Sequence, residues 1–195
     1  MMPLTCVIEG LPGAGKTTTC QALAQSPRLR GAALLPEFLP ESEGDREDIS
    51  FYIENERGKS ARMAAGSEPW LICDRYWQSS AIYCAATANA IALEELQAVR
   101  RMIHKTPLHG CYAFVHLQVP VEVSRARARQ PSVPNQWCSP AFSQRVFALY
   151  ELVYQRAQVL EPELLGKLQV PAASLCADEV AAMIEAFLLE LRASR

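Results

Sequence analysis

The sequence has no excess of either charge, no long apolar run and no paired-cysteine motif. Each absence removes a class of function. Nineteen Lys and Arg stand against twenty-one Asp and Glu, a formal net charge of -2. General nucleic-acid binders carry a basic excess, so no nucleic-acid partner is expected. The first apolar run, Leu4 to Ile8, is far too short to span a bilayer and carries no basic leader. The run from Val180 to Leu191 is interrupted by Glu185 and Glu190, as in an amphipathic helix. The expectation is a soluble, cytoplasmic protein with no membrane partner. Seven cysteines (Cys6, Cys20, Cys73, Cys84, Cys111, Cys138, Cys176) are odd in number and scattered. That pattern suits buried thiols in a reducing compartment better than a disulfide framework or a zinc site. The three histidines show no metal-ligand spacing. His116, inside an apolar run, reads as a core residue.

What is present is a core-forming pattern. Half of the 195 residues are hydrophobic, enough for one domain covering 1–195. Leu4 to Ile8 reads as a buried strand and Lys16 to Gln25 as a helix. Ala32 to Leu35 reads as a short strand, Asp45 to Ala65 as a helix and Trp70 to Asp74 as a compact strand. Helical stretches follow at Trp77 to Ala88 and Leu93 to Lys105. Tyr112 to Val119 is the clearest strand, stopped by Pro120. Val121 to Arg129 and Phe142 to Leu160 read as helices, Leu168 to Val170 as a last strand before a terminal helix. Alternating elements predict an α/β fold, a five-stranded parallel sheet with helices on both faces.

Between the first strand and helix lies Gly10-Leu11-Pro12-Gly13-Ala14-Gly15-Lys16-Thr17, a G-x-x-x-x-G-K-T phosphate loop. Its glycines let the backbone curl so that amides point at phosphate oxygens, and the helix adds its positive end. The expected cofactors are ATP and Mg²⁺. Gly10, Gly13, Ala14, Gly15, Lys16, Thr17 and Thr18 would hold the nucleotide. Lys16 would reach the β- and γ-phosphates, and the Thr17 hydroxyl would sit on the metal. No N-K-x-D or T-K-x-D stretch is present, which counts against a GTPase, and no strand ends in the D-E pair of ATP-driven machines. Instead Asp74-Arg75-Tyr76 closes the strand from Trp70, where open α/β sheets bind ligands.

The segment from Ile8 to Thr18, the D-R-Y-x-x-S-S-x-A-Y register kept by Asp74-Arg75-Tyr76, Ser79-Ser80 and Tyr83, and the stretch from Val119 to Arg129 together resemble the thymidylate kinase group of P-loop kinases. The resemblance is looser to the deoxynucleoside kinases. Only the phosphate loop and the Asp-Arg segment are specific. Cys84-Ala85 stand where the group carries Gln-Gly after the motif tyrosine. Pro36-Glu37-Phe38-Leu39-Pro40 replaces its E-P-G-G-T, and Phe51 to Lys59 replaces its R-x-x-H helix. Pro12 takes the place of an acid. The donor half matches and the acceptor half does not.

The resemblance implies the P-loop NTPase fold, kinase chemistry and a lid around 125–140, in which one or two of Arg125, Arg127 and Arg129 fold over the γ-phosphate. Two of these, Arg125 and Arg129, are the candidates. Arg75 is the candidate grip on the acceptor, because a guanidinium fork holds a phosphate in two places. Asp74 would orient metal-bound water or pin Arg75. In the related nucleoside kinases a carboxylate at the position of Glu37 takes the acceptor hydroxyl's proton; with a monophosphate acceptor Glu37 would bind sugar or metal-bound water. Arg57 and Lys59 flank the acceptor pocket, with Glu54 an alternative partner for Arg57. Tyr52 and Tyr83, and with them Phe51 and Tyr76, are candidate contacts for a base. A homodimer through the alanine-rich stretch Trp77 to Ala92 is a further implication. The leading expectation is an ATP-dependent kinase acting on a nucleoside monophosphate. The alternatives are a kinase for a nucleoside or another small hydroxylated metabolite and, more distantly, a nucleotide-binding module without catalysis.

Overall fold

The computed structural model describes residues 3–37, 49–89, 94, 96–97, 100–101, 111–128 and 139–195. Five parallel strands form one sheet: β1 (Leu4–Gly10), β2 (Ala32–Leu35), β3 (Trp70–Asp74), β4 (Tyr112–Leu117) and β5 (Gly166–Val170). Their spatial order is β2-β3-β1-β4-β5, with every neighbouring pair parallel. The helices are α1 (Lys16–Gln25), α2 (Ile49–Ala65), α3 (Trp77–Thr87), α4 (Val121–Arg127), α5 (Pro140–Leu160) and α6 (Ala177–Ala193). Of the expected Leu93 to Lys105 helix the described residues 94, 96–97 and 100–101 are helical and the rest lie outside the described residues, as do Arg129, Cys138 and most of the expected lid.

The strands' composition sets their places. β1, β3 and β4 are buried at every position, as strands covered on both faces require. β2 and β5, at the two edges, are mostly half-buried. Helix α1 packs with α6, and α3 packs with α5. Glu9 and His116 are register partners on β1 and β4, and both side chains meet α5, at Tyr150. Ser139 caps α5 by accepting a hydrogen bond from the Phe142 amide, and Pro140 fills its first turn.

The chain leaves β1 toward β2 on one side of the sheet and leaves its neighbour β4 toward β5 on the other, so the connections from these two adjacent strands run in opposite directions. That switch point opens a crevice at the edge where Gly10, Asp74 and Leu117 end their strands. Most of α3 is already buried within the chain, leaving Ser80, Tyr83, Cys84 and Thr87 partly or fully exposed. Among the described cysteines, Cys6, Cys20 and Cys73 are buried. Cys84 and Cys111 are half-buried and Cys176 is exposed. Among the described residues no helix is long and apolar enough to cross a membrane.

Candidate active site at the sheet switch point

The phosphate loop turns on glycines that no other residue replaces at the same backbone. Gly10 has φ 149°, and a Cβ there would lie 2.6 Å from the Leu117 carbonyl oxygen. Gly13 has φ 70°, and its Cβ would lie 2.8 Å from Cβ of Arg127. The loop is therefore packed against α4, and Ser124 Oγ donates a hydrogen bond to the Pro12 carbonyl. This contact brings Arg127 beside the loop, with Arg125 two residues earlier on the same helix. In α1 the Thr19 amide already bonds to the Gly15 carbonyl at 2.9 Å. The amides of Lys16, Thr17 and Thr18 precede it, in the turn that has no intrahelical partners to offer and so suits an anion.

Lys16 Nζ donates to the carbonyls of Gly10 (2.9 Å) and Leu11 (2.8 Å). Burial, and then the nearby Arg75, lower its pKa to about 7. Thr17 Oγ1 donates to Asp74 Oδ2 at 2.6 Å. Asp74 Oδ1 is buried and has no hydrogen-bond partner among the described residues. A hydroxyl, a carboxylate with a spare oxygen and incoming phosphate oxygens are the hard donors that Mg²⁺ takes, so the residues fit that ion.

On the other side of Asp74 the chain makes a tight turn. Arg75 is left-handed, with φ 61°, and its amide bonds to the Ile8 carbonyl at 3.1 Å. Its Nε lies 2.6 Å from Glu37 Oε1 in an ion pair. Its Nη1 donates to Ser79 Oγ (3.0 Å) and to Tyr150 OH (3.3 Å). Burial opposes the Arg75 charge, yet Glu37, Tyr150, Tyr83 and Glu9 hold its pKa well above the ordinary value. Tyr83 is the neighbour between Arg75 and the ring of Phe142, 6.3 Å away between centroids. Beyond it Thr87, Ser139, Phe142 and Arg145 line a groove of about 230 Å³.

The remaining sequence-predicted residues divide. Lys59 is buried, and its ammonium donates to the carbonyls of Asp74 and Arg75, both at 2.8 Å. Arg57 is half-buried, with Nε lacking a hydrogen-bond partner among the described residues. Tyr52 meets Phe51 edge-on, and Tyr76 is fully buried edge-on against Tyr112. The sequence reading passed over Glu9, Ser79 and Tyr150 as site residues. Glu9 carried a signal: it is the one acid in a seven-residue buried strand, and a buried charge requires partners. Glu56 is a second buried acid; burial, against the pull of Lys59, raises its pKa to about 7.

No family model and no curated protein matches the chain. Solved structures do. Deoxyadenosine kinase from M. mycoides with dCMP and a flexible dCDP superposes with a TM-score of 0.69 at 16% identity, over 96% of this chain and 100% of that one. The same enzyme with dATP gives 0.65 at 15% identity, over 95% of this chain and 99% of that one. With dCTP it gives 0.65 at 14% identity, over 96% and 100%. The fold is that of a P-loop NTPase.

Proposed function

We propose that this protein is an ATP-dependent kinase that transfers the γ-phosphoryl group to a hydroxyl of a nucleoside. The observation that carries the reading is the Glu37 carboxylate held against Arg75 at 2.6 Å, on the sheet edge that also carries the phosphate loop. A hydroxyl acceptor needs a base there, whereas a phosphate acceptor is already ionised. The fold likeness to a deoxyadenosine kinase with bound deoxynucleotides points the same way.

In this reading the triphosphate replaces the Gly10 and Leu11 carbonyls as the partner of Lys16, and the α1 amides receive phosphate oxygens. Mg²⁺ held by Thr17 and Asp74 would neutralise charge on the β- and γ-oxygens. Glu37 takes the hydroxyl proton as the acceptor oxygen bonds to the γ-phosphorus. The bond from that phosphorus to the β-bridging oxygen breaks, and ADP leaves. Arg75 holds Glu37 in place and faces the charge that develops on the transferred group. Arg125, on the helix that packs against the phosphate loop, would meet the γ-phosphate and help to limit hydrolysis.

Transfer to a nucleoside monophosphate is the second reading. One observation favours it: the half-buried Arg57 guanidinium has an Nε without a hydrogen-bond partner among the described residues, which leaves the cation for an acceptor phosphate. Glu37→Gln separates the two. With a deoxynucleoside acceptor, turnover falls about 10²- to 10⁴-fold while KM for ATP holds. Undiminished turnover of a monophosphate by the variant would shift the assignment to the second reading.

A further inference from the structure

Glu9 sits one residue before the phosphate-loop Gly10, and its side chain is wholly buried. Four donors converge on it. The amides of Tyr76 and Ser79 reach Oε1 at 2.8 and 3.3 Å, and the hydroxyls of Ser79 and Tyr150 reach Oε2 at 2.5 and 3.3 Å. Those two hydroxyls are the ones that accept from Arg75 Nη1. Ser79 takes a hydrogen bond from the cation and gives one to the anion, while the one Tyr150 proton is shared between Ser79 Oγ at 2.9 Å and Glu9 at 3.3 Å. Burial raises the Glu9 pKa, and Arg75, Ser79 and the Tyr76 amide act against that rise.

The main chain is tied from the same place. A non-glycine residue stays left-handed only where its surroundings fix it, as they do around Arg75. Its amide is held by Ile8 of β1, the next amide by Glu9, and its carbonyl by Lys59. An apolar side chain at position 9 would fill the space without the desolvation cost of a carboxylate. What the carboxylate adds is direction: it takes the two amides that fix the main chain after Arg75 and orients two hydroxyls whose lone pairs face a single guanidinium.

We propose that Glu9 is a positioning residue for the transfer reaction, holding Arg75 where it meets Glu37 through Ser79, Tyr150 and the Tyr76 amide. The strand that launches the donor loop thereby also sets the acceptor end. This inference rests on the kinase reading, and Glu9 acts through Arg75 rather than on a reacting atom.

The test uses the full-length Glu9→Gln protein, which keeps side-chain size and one accepting oxygen but removes the charge. Turnover of the deoxynucleoside falls about 10- to 100-fold while KM for ATP and the melting temperature hold. Tyr150→Phe breaks one bridge and lowers turnover in the same sense. The double variant falls less than the product of the two single effects, because both act through one link. A second readout needs no turnover: the Arg75 Nε resonance in ¹⁵N-arginine-labelled protein, assigned by its loss in Arg75→Lys, shifts in Glu9→Gln. If Glu9→Gln fails to fold, Tyr150→Phe and Ser79→Ala carry both readouts. An unmoved Arg75 resonance, or loss of turnover that tracks loss of melting temperature and of ATP binding, overturns the assignment. A wild-type protein inactive on every nucleoside and every nucleoside monophosphate would sink the kinase reading instead, and the resonance alone would then decide the role of Glu9.

Discussion

Thr17 Oγ1 donates a 2.6 Å hydrogen bond to Asp74 Oδ2, joining the first turn of α1 to the end of β3 across 57 residues of sequence. The pair leaves the second Asp74 oxygen buried and unpartnered among the described residues, an arrangement that costs stability unless something charged completes it. Thr17→Val removes one proposed donor and leaves the carboxylate. The Mg²⁺ concentration giving half-maximal turnover then rises about tenfold or more, with Thr17→Ser restoring it. A magnesium titration of the three proteins checks this.

Lys16 gives the empty protein a pH signature. Burial lowers its pKa to about 7, whereas its ordinary value is 10.5. Between those values the unfolded chain holds a proton that the folded chain has released, so stability rises as pH increases from 7 toward 10. A bound triphosphate reverses the shift, so ATP binding at pH 8 takes up protons. Calorimetry in two buffers of different ionisation enthalpy should show that uptake, fading toward pH 6. Lys16→Ala should bind without it, and weakly.

Lys59 gives a prediction that separates positioning from acceptor binding. Its ammonium lies on the carbonyls of Asp74 and Arg75. Lys59→Met should lower the melting temperature and kcat together, because the Asp74 carbonyl loses its ammonium donor and the Arg75 carbonyl keeps only the weak Cys73 thiol, at a cost of about 1–3 kcal/mol. An acceptor-phosphate ligand would instead raise only the acceptor KM. Thermal unfolding and steady-state kinetics on one preparation distinguish the two.

The loop glycines should not be equivalent. Gly10 and Gly15 both have positive φ, 149° and 94°. A Cβ on Gly10 meets a backbone oxygen, whereas one on Gly15 meets nothing within 4 Å. Gly10→Ala therefore adds a steric clash to the conformational strain and should unfold at the lower temperature. Gly15→Ala carries only the strain, about 1–3 kcal/mol.

The sheet was legible because its strands are apolar runs that end in turn residues, and periodicity reports such elements directly. β2 stands at the predicted Ala32–Leu35, and β3 at the predicted Trp70–Asp74. Boundaries moved where local chemistry overrides pattern. The helix expected from Phe142 begins at Pro140, because Ser139 caps it. The phosphate loop was equally legible, since a fixed spacing encodes a local shape. The network behind Arg75 was not. Glu9, Ser79 and Tyr150 are separated by as many as 141 residues, and no pattern within one element records that they meet. Lys59 shows the same limit: a basic residue on a helix beside a pocket reads as a ligand contact, while the fold turns its ammonium onto the main chain of β3's last turn.

The most direct measurement is the product formed from ATP, Mg²⁺ and an equimolar mixture of deoxyadenosine and its 5′-monophosphate, followed by mass spectrometry with Lys16→Ala as the blank. Glu37 as base predicts that the deoxynucleoside is consumed and its monophosphate accumulates, with ADP released one for one. Loss of the monophosphate to diphosphate, with the deoxynucleoside untouched, would contradict the assignment of Glu37 and of the acceptor.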